Sequence, residues 1–217
     1  MTASEPLPID RPERCHHCQK PLESPIGCLT CHVIYPSASE LSHFDRLGLS
    51  TQYDVSPAEL ERRYLAWSRE LHPDFYQTKS AEEQAMSLKL SAALNDAYAT
   101  LKDPVRRAEY LLYLFEGPTA AEHRAMPEGF LEEILDLRME IQEAKEEGRL
   151  EDPSVQELRN RLRSERNQEI AQIAKMFHQI ESSSEPPATS MLATIREQLN
   201  TVKYRDGLLR DLASNKS

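Results

Sequence analysis

The sequence has no cysteine after residue 31, although four occur within its first 31 residues. A disulfide scaffold needs cysteines along its whole length, so that architecture is excluded for most of the chain. No apolar run approaches the roughly 20 residues needed to cross a bilayer. The first ten residues lack the apolar core of a secretory signal and the basic character of a transit peptide. We therefore expect a cytoplasmic protein with no membrane partner.

The sequence also has few glycines, and its basic residues are fewer than its acidic ones. Only 6 glycines occur in 217 residues, and long stretches are rich in Glu, Leu, Arg, Ala and Gln, which favours helix. The net charge of −10 disfavours nucleic acid as a general partner, because phosphates attract basic surfaces. No Gly-rich phosphate loop or nucleophile and base pair can be recognised, so we do not expect an enzyme. The composition predicts a mainly α fold of one or two small domains.

The four cysteines form two CxxC pairs, Cys15 with Cys18 and Cys28 with Cys31. Two such pairs can place four thiolates at the corners of a tetrahedron, as in a closed zinc site. Zinc is the expected metal, and iron is the other ion that four thiolates suit. Such a site would be structural, because a segment this short cannot bury a core unaided. A redox dithiol and a nucleic-acid-binding ribbon stay open as alternatives, although few basic residues lie nearby.

A helical hairpin is predicted from residue 56 to residue 103. Its first helix begins at a capping box, Ser56 to Glu59, and runs to about Leu71. Its second helix begins at another capping box, Ser80 to Glu83, and ends at Asp103 before a new short helix. Apolar residues at helical spacing form a buried stripe on each helix. The two stripes are Leu60, Tyr64, Trp67 and Leu71, and Met86, Leu90, Ala93, Ala97 and Leu101.

The tripeptide His72-Pro73-Asp74 lies in the turn of this hairpin. Pro73 cannot continue the first helix and restricts the backbone of His72, so the chain must turn there. On the first helix, Arg62 and Arg69 lie opposite the apolar stripe and Arg63 lies at its side, which leaves a basic face. An ordinary hairpin with a chance match in its turn is the alternative explanation.

This hairpin resembles the J domain of DnaJ-type co-chaperones, over roughly residues 42–116. The resemblance includes the tripeptide in its turn, the lead-in His43 to Leu49, and the segments 94–101 and 103–112. It implies a DnaK-type chaperone ATPase as partner. The residues that it assigns to chaperone binding are His72, Pro73, Asp74, Arg62, Arg63 and Arg69.

Beyond Glu116-Gly117-Pro118 the chain changes character. Residues 117–126 are predicted to be a linker, and residues 127–217 a bundle of three helices. The first helix, from Pro127 to about Glu147, has two apolar stripes: Phe130, Ile134, Leu137 and Ile141, and beside it Leu131, Leu135 and Met139. The apolar residues of the other two helices are Val155, Leu158, Leu162, Ile173, Phe177 and Ile180, and Leu192, Ile195, Leu199, Val202 and Leu209.

The stripe Leu131-Leu135-Met139 is covered either by the bundle or by a partner. Its residues alone slightly favour the bundle, because a broad apolar arc is common where one helix touches two neighbours. Tyr204 lies well away from the main apolar stripe of the third helix, so it too is covered either by the bundle or by a partner.

A J domain followed by such a bundle, opened by residues 130–138, resembles the HscB family of iron-sulfur cluster co-chaperones, over about residues 42–213. The resemblance implies a non-enzymatic protein that stimulates an HscA-type ATPase and delivers the cluster scaffold protein to it. It implies scaffold contacts at Leu131, Leu135, Asp136 and Tyr204, whereas Glu132 and Met139 depart from the bacterial pattern. The segment 1–41, with its four cysteines, resembles the N-terminal extension of eukaryotic members.

Two other functions stay open at this point. One is a general J-domain co-chaperone that serves another client. The other is a metal-dependent binding module whose main activity lies in the cysteine segment. Self-association is also open, because no sequence pattern decides the oligomeric state.

Overall fold

The computed structural model describes residues 13–35 and 41–213. Residues 1–12 and 36–40 of the predicted metal-binding segment, and residues 214–217 of the predicted bundle, lie outside the described residues. The chain divides into two compact units, Met1–Arg107 and Ala108–Ser217. None of the described helices is both long and apolar enough to cross a membrane.

The described residues give the mainly α architecture that the sequence predicts. A two-stranded sheet, β1 and β2, precedes seven α-helices, and a short 3-10 turn joins α2 to α3. In chain order the elements are β1 Gly27–Cys28, β2 Val33–Ile34, α1 His43–Arg46, α2 Pro57–Glu70, the 3-10 turn Pro73–Tyr76, α3 Ala81–Lys102, α4 Pro104–Leu114, α5 Phe130–Glu146, α6 Pro153–Ser182 and α7 Thr189–Ala213.

The first unit contains the four-cysteine segment, residues 13–35, which we call the knuckle. Its two strands pair antiparallel, with Gly27 opposite Ile34. The knuckle packs against α1, because the buried Ser24 hydroxyl donates to the carbonyls of Asp45 and Arg46 at 3.2 and 2.9 Å. Gly48 permits this approach: it has a φ of +65°, and a Cβ there would lie 1.8 Å from the Glu23 carbonyl oxygen.

The helical hairpin consists of α2 and α3, with the bounds that the two caps predict. The Ser80 cap is a complete capping box, with Glu83 bonded back to the Ser80 backbone. The prediction of a capping box at Ser56 is only half right. The Ser56 side chain accepts from the Glu59 backbone N–H, but the Glu59 carboxylate is held by Arg62 and Arg63 and does not return to the cap.

The hairpin core follows the predicted stripes with small shifts. Leu60, Trp67 and Leu71 of the first stripe are buried, whereas Tyr64 is half-buried and stacks on Tyr98 at a ring distance of 4.1 Å. On α3 the buried stripe is shifted by one position from the predicted one. Met86 and Ala93 are only half-buried, whereas the next residues, Ser87 and Leu94, are buried. The buried α3 residues are Ser87, Leu90, Leu94, Ala97, Thr100 and Leu101.

The second unit contains the helices α5, α6 and α7, which form the predicted bundle. The stripe Phe130, Ile134, Leu137 and Ile141 is buried in one cluster with residues of α6 and α7. On α7, Leu209 is half-buried and packs against this cluster, whereas its neighbour Leu208 is fully buried within it. This unit also includes the end of α4: Glu109 is paired with Arg196 on α7, and Phe115 stacks on Phe177 of α6.

Candidate functional site

The four cysteine sulfurs converge in the knuckle, within 4.8 Å of one another. The Sγ atoms of Cys15 and Cys31 are 3.5 Å apart, and those of Cys18 and Cys28 are 3.6 Å apart. A tetrahedral site with metal–sulfur bonds of about 2.3 Å has sulfur–sulfur separations of about 3.8 Å. The donor set and its spacing therefore fit one four-coordinate metal ion.

Local backbone geometry explains why the sulfurs point inward. Each CxxC pair is followed directly by a residue in the left-handed region, Gln19 with φ 59° and His32 with φ 58°. The chain reverses at these two residues, and backbone N–H groups are directed at sulfur. His17 donates to the Cys15 sulfur at 3.3 Å, and the Tyr35 hydroxyl donates to the same atom at 3.3 Å.

The surroundings of the sulfurs give the thiols different pKa values. The pKa of Cys15 is lowered to about 5, first by the hydrogen bond from Tyr35 and then by that from the Cys18 backbone. Burial and the neighbouring sulfurs raise the pKa of Cys31 to about 12. At neutral pH the four thiols would not all ionise by themselves, so a bound cation would have to displace protons as it binds.

The His-Pro-Asp turn projects into solvent beside the end of α2. His72 caps the 3-10 turn, its Nδ1 accepting from the Asp74 backbone N–H at 3.3 Å. The Asp74 carboxylate accepts from Gln77 at 3.2 Å, lies 3.5 Å from His72 Nδ1, and is 70% exposed. Both polar side chains of the tripeptide are thus held in place by local contacts and remain accessible to a partner.

The base of this turn is fixed by two hydroxyl groups from α3. Pro73 ends the helical hydrogen bonding, so the carbonyl oxygen of Leu71 needs hydrogen-bond donors from elsewhere. Ser87 and Ser91 both donate to it at 2.7 Å. The sequence analysis did not predict this pair of hydrogen bonds. The signal available was that Ser87 and Ser91 lie one helical turn apart and therefore share a face of α3.

The predicted basic face on α2 is narrower than the sequence suggests. Arg62 and Arg69 are exposed, but the side chain of Arg63 is only 20% exposed. Its guanidinium donates to the carbonyls of Glu23, Leu47 and Gly48 and also pairs with Glu59. Arg63 therefore holds the knuckle and α1 against α2, and this geometry argues against its predicted contact with a chaperone.

The second stripe of α5 lies on the surface. Leu131, Leu135 and Met139 are 48%, 60% and 71% exposed, so the interpretation of this stripe as core, which the residues alone slightly favour, is wrong. Asp136 is also exposed. A row of large apolar side chains that no described residue of the unit covers has the character of a partner-binding surface.

Tyr204 lies at the edge of this row. It is half-buried against the bundle core, with its ring edge-on to Phe130 at 6.2 Å. A groove of about 640 Å³ brings Tyr204 and Leu131 together with Arg138 and Lys203. Of the four predicted scaffold residues, Leu131 and Leu135 are exposed one turn apart on α5, Asp136 is exposed next to Leu135, and Tyr204 lines a groove with Leu131.

Two models of known families match this chain. Residues 42–110 match the model of the DnaJ domain, and residues 126–212 match the model of the HSCB C-terminal oligomerisation domain. The fold, the exposed His-Pro-Asp turn and the first match define the chain as a J-domain protein. With both matches in this order, it belongs to the HscB family.

Relatives of the chain come from animals, plants and bacteria. The mouse iron-sulfur cluster co-chaperone protein HscB is 31% identical over 64% of this chain and 62% of its own length. The co-chaperone protein HscB homolog of Vibrio cholerae is 37% identical over 47% of this chain and 60% of its own. The chain thus spans about three fifths of the length of these curated relatives.

Solved structures extend the likeness to the whole fold. Chaperone HscB from Vibrio cholerae matches with a TM-score of 0.65 and 25% identity, over 80% of this chain and 96% of its own. The crystal structure of human co-chaperone protein HscB matches with a TM-score of 0.68 and 24% identity, over 92% of this chain and 96% of its own. The human structure supports the fold alone.

Proposed function

We propose that this protein is a co-chaperone that stimulates the ATPase of a DnaK/HscA-type chaperone and delivers the iron-sulfur cluster scaffold protein to it. The observation that carries the proposal is that one chain of the HscB family exposes two different binding surfaces. The His-Pro-Asp turn belongs to the first unit, and the exposed stripe of α5 to the second.

The chaperone contact is proposed for the turn and the basic residues beside it. Arg69 and Arg62 would meet an acidic patch on the ATPase, where charge complementarity favours fast, salt-sensitive association. His72, Pro73 and Asp74 would then engage the part of the ATPase that controls hydrolysis. This protein would act by binding, with no chemical step of its own.

The scaffold contact is proposed for Leu131, Leu135, Asp136 and Tyr204. The two leucines supply apolar area, and the half-buried Tyr204 supplies a rigid edge to the surface. Binding both partners through one chain raises the effective concentration of scaffold at the chaperone. Coupling by proximity is enough to favour cluster transfer.

The proposed metal is zinc, held by Cys15, Cys18, Cys28 and Cys31, with iron as the alternative ion that the same four sulfurs suit. When bound, the ion would cross-link the two CxxC turns, and its role would be structural because all four positions are filled by sulfur. Metal analysis of the purified protein should give one zinc per chain. The cytoplasmic location stays a prediction, and self-association stays open.

Two variants test the division of labour. Asp74→Asn should abolish ATPase stimulation and retain scaffold binding, because Asp74 is exposed and lies in the first unit. Leu131→Ala combined with Leu135→Ala should weaken scaffold binding and retain stimulation of the ATPase alone. Equal loss of both activities in either folded variant would contradict two separate surfaces.

A further inference from the structure

A concave surface of about 630 Å³, which we call the knuckle groove, lies beside the His-Pro-Asp turn within the first unit. One wall is strand β2 of the knuckle, with Val33 and Ile34. The other wall is the chain that follows Asp74, with Phe75 and Tyr76, and the start of α3, with Met86. The four-cysteine segment is thus not a separate appendage, because it forms half of a surface that continues into the turn.

The knuckle groove is mainly apolar and is open to a partner. Phe75 is 68% exposed, although large aromatic side chains are usually covered in a folded protein. Val33, Ile34 and Met86 are half-buried along the same surface. An apolar side chain of a partner could be desolvated here next to the turn.

The basic side chains that line the groove are more exposed than the acidic ones. The Glu70 carboxylate lies 2.8 Å from His32 of the knuckle and is only 17% exposed, and Glu83 is held in the capping box of α3. Arg69 and Lys79 are exposed and form no ion pair with any described residue. The exposed charges that line the groove are therefore the cations Arg69 and Lys79, with the exposed Asp74 carboxylate beside them in the turn.

We propose that the knuckle groove docks an extended segment of the chaperone ATPase that carries an apolar side chain beside carboxylates. The inference rests on the proposed function, since it extends the contact made by the turn. Two observations favour the ATPase over other occupants. Phe75 and Tyr76 follow Asp74 directly, so a partner that engages Asp74 is already at the groove, and Arg69 belongs to both surfaces. The role of the metal is then to hold β2 as the second wall.

The test measures how the steady-state ATPase rate of the purified cognate HscA-type chaperone depends on the concentration of the full-length protein. The groove variant is Lys79→Glu with Met86→Asp. Its matched control is Lys89→Glu with Leu88→Asp, which makes the same changes on exposed α3 residues that do not line the groove. Circular dichroism and metal content show whether each variant is folded. A milder variant, Val33→Ser, probes the opposite wall without adding charge.

We expect the groove variant to raise the half-maximal concentration about tenfold, with a rate at saturation close to that of the wild type, and Val33→Ser to raise it severalfold. The control variant should stay within twofold of the wild type. Groove variants that match the control overturn the inference and leave the proposed function standing. A wild-type protein that gives no stimulation overturns the proposed function instead, and the inference with it.

Discussion

Arg62 and Arg63 are adjacent on α2 and have different surroundings. Arg62 makes two hydrogen bonds to Glu59, at 2.8 and 2.9 Å, and its side chain is 54% exposed. Arg63 lies inward and donates to three backbone carbonyls, of which Gly48 is the nearest at 2.6 Å. A charged donor that satisfies part-buried carbonyls contributes to stability, whereas an exposed ion pair contributes little.

We predict that Arg63→Ala lowers the free energy of unfolding by about 2 kcal/mol, because three carbonyls lose a charged donor. Arg62→Ala should change stability much less and should instead weaken activation of the chaperone. Urea unfolding followed by circular dichroism measures the first effect, and the ATPase assay measures the second. Equal stability of the two variants would contradict the structural role of Arg63.

The carbonyl of Leu71 shows how a single group can position the His-Pro-Asp turn. It accepts from Ser87, which is fully buried, and from Ser91. Replacing both serines by alanine should cost about 1–3 kcal/mol, because the carbonyl is left without a partner. We also expect lower stimulation of the ATPase at saturation, since the turn is no longer fixed.

Ser91→Thr with Ser87 unchanged is the control, because threonine keeps the hydroxyl and its extra methyl is added at a half-buried position. If the alanine variant is destabilised but stimulates the ATPase as well as the wild type at a temperature where both are folded, the pair of hydrogen bonds serves the fold alone.

At the scale of the element, helix α5 has one face in the core and one on the surface. Leu137 is buried and Leu135 is 60% exposed, although only two positions separate them. Leu137→Ala should lower the free energy of unfolding by about 2–5 kcal/mol, as for other buried leucines. Leu135→Ala should change it by no more than about 0.5 kcal/mol. A large loss of stability in Leu135→Ala would show that the bundle, and not a partner, covers this stripe.

The helices themselves could be predicted well from the sequence. Caps such as Ser80 and breakers such as Pro73 act locally, so the sequence contains what determines the ends of α2 and α3. The exposed apolar face of α5 could not be separated from its core face by periodicity. Spacing shows which side chains share a face, but only the neighbouring helices decide which face is covered.

The inward position of Arg63 could not be predicted for the same reason. Its carbonyl partners lie 15 to 40 residues away in the sequence and meet it only after the knuckle has packed on α1 and α2. The convergence of the four cysteines was predictable, because two CxxC pairs at short separation have few other uses. The joint surface of knuckle and turn was not, since it needs the tertiary contact between His32 and Glu70.

At the scale of the whole molecule, the residues proposed to contact the chaperone and those proposed to contact the scaffold belong to different units. The knuckle belongs to the first unit, so metal removal should act on one partner only. We predict that a strong chelator, or Cys15→Ser with Cys28→Ser, raises the half-maximal concentration for ATPase stimulation and leaves scaffold affinity unchanged. Restoring zinc should reverse the effect of the chelator but not that of the double variant.

Metal content and scaffold binding, measured by calorimetry, give readouts that do not depend on the ATPase. Loss of scaffold binding on chelation would contradict the independence of the two units.

The most direct test of the central claim is the steady-state rate of ATP hydrolysis by the cognate HscA-type ATPase, with this protein and the scaffold added separately and together. Because one chain would bring scaffold and chaperone together, we predict stimulation that is greater with both than the sum of the two alone, and that is lost in Asp74→Asn. Stimulation that does not respond to scaffold would indicate a general J-domain co-chaperone. No stimulation at all would contradict the account and leave the four-cysteine knuckle as the main functional module.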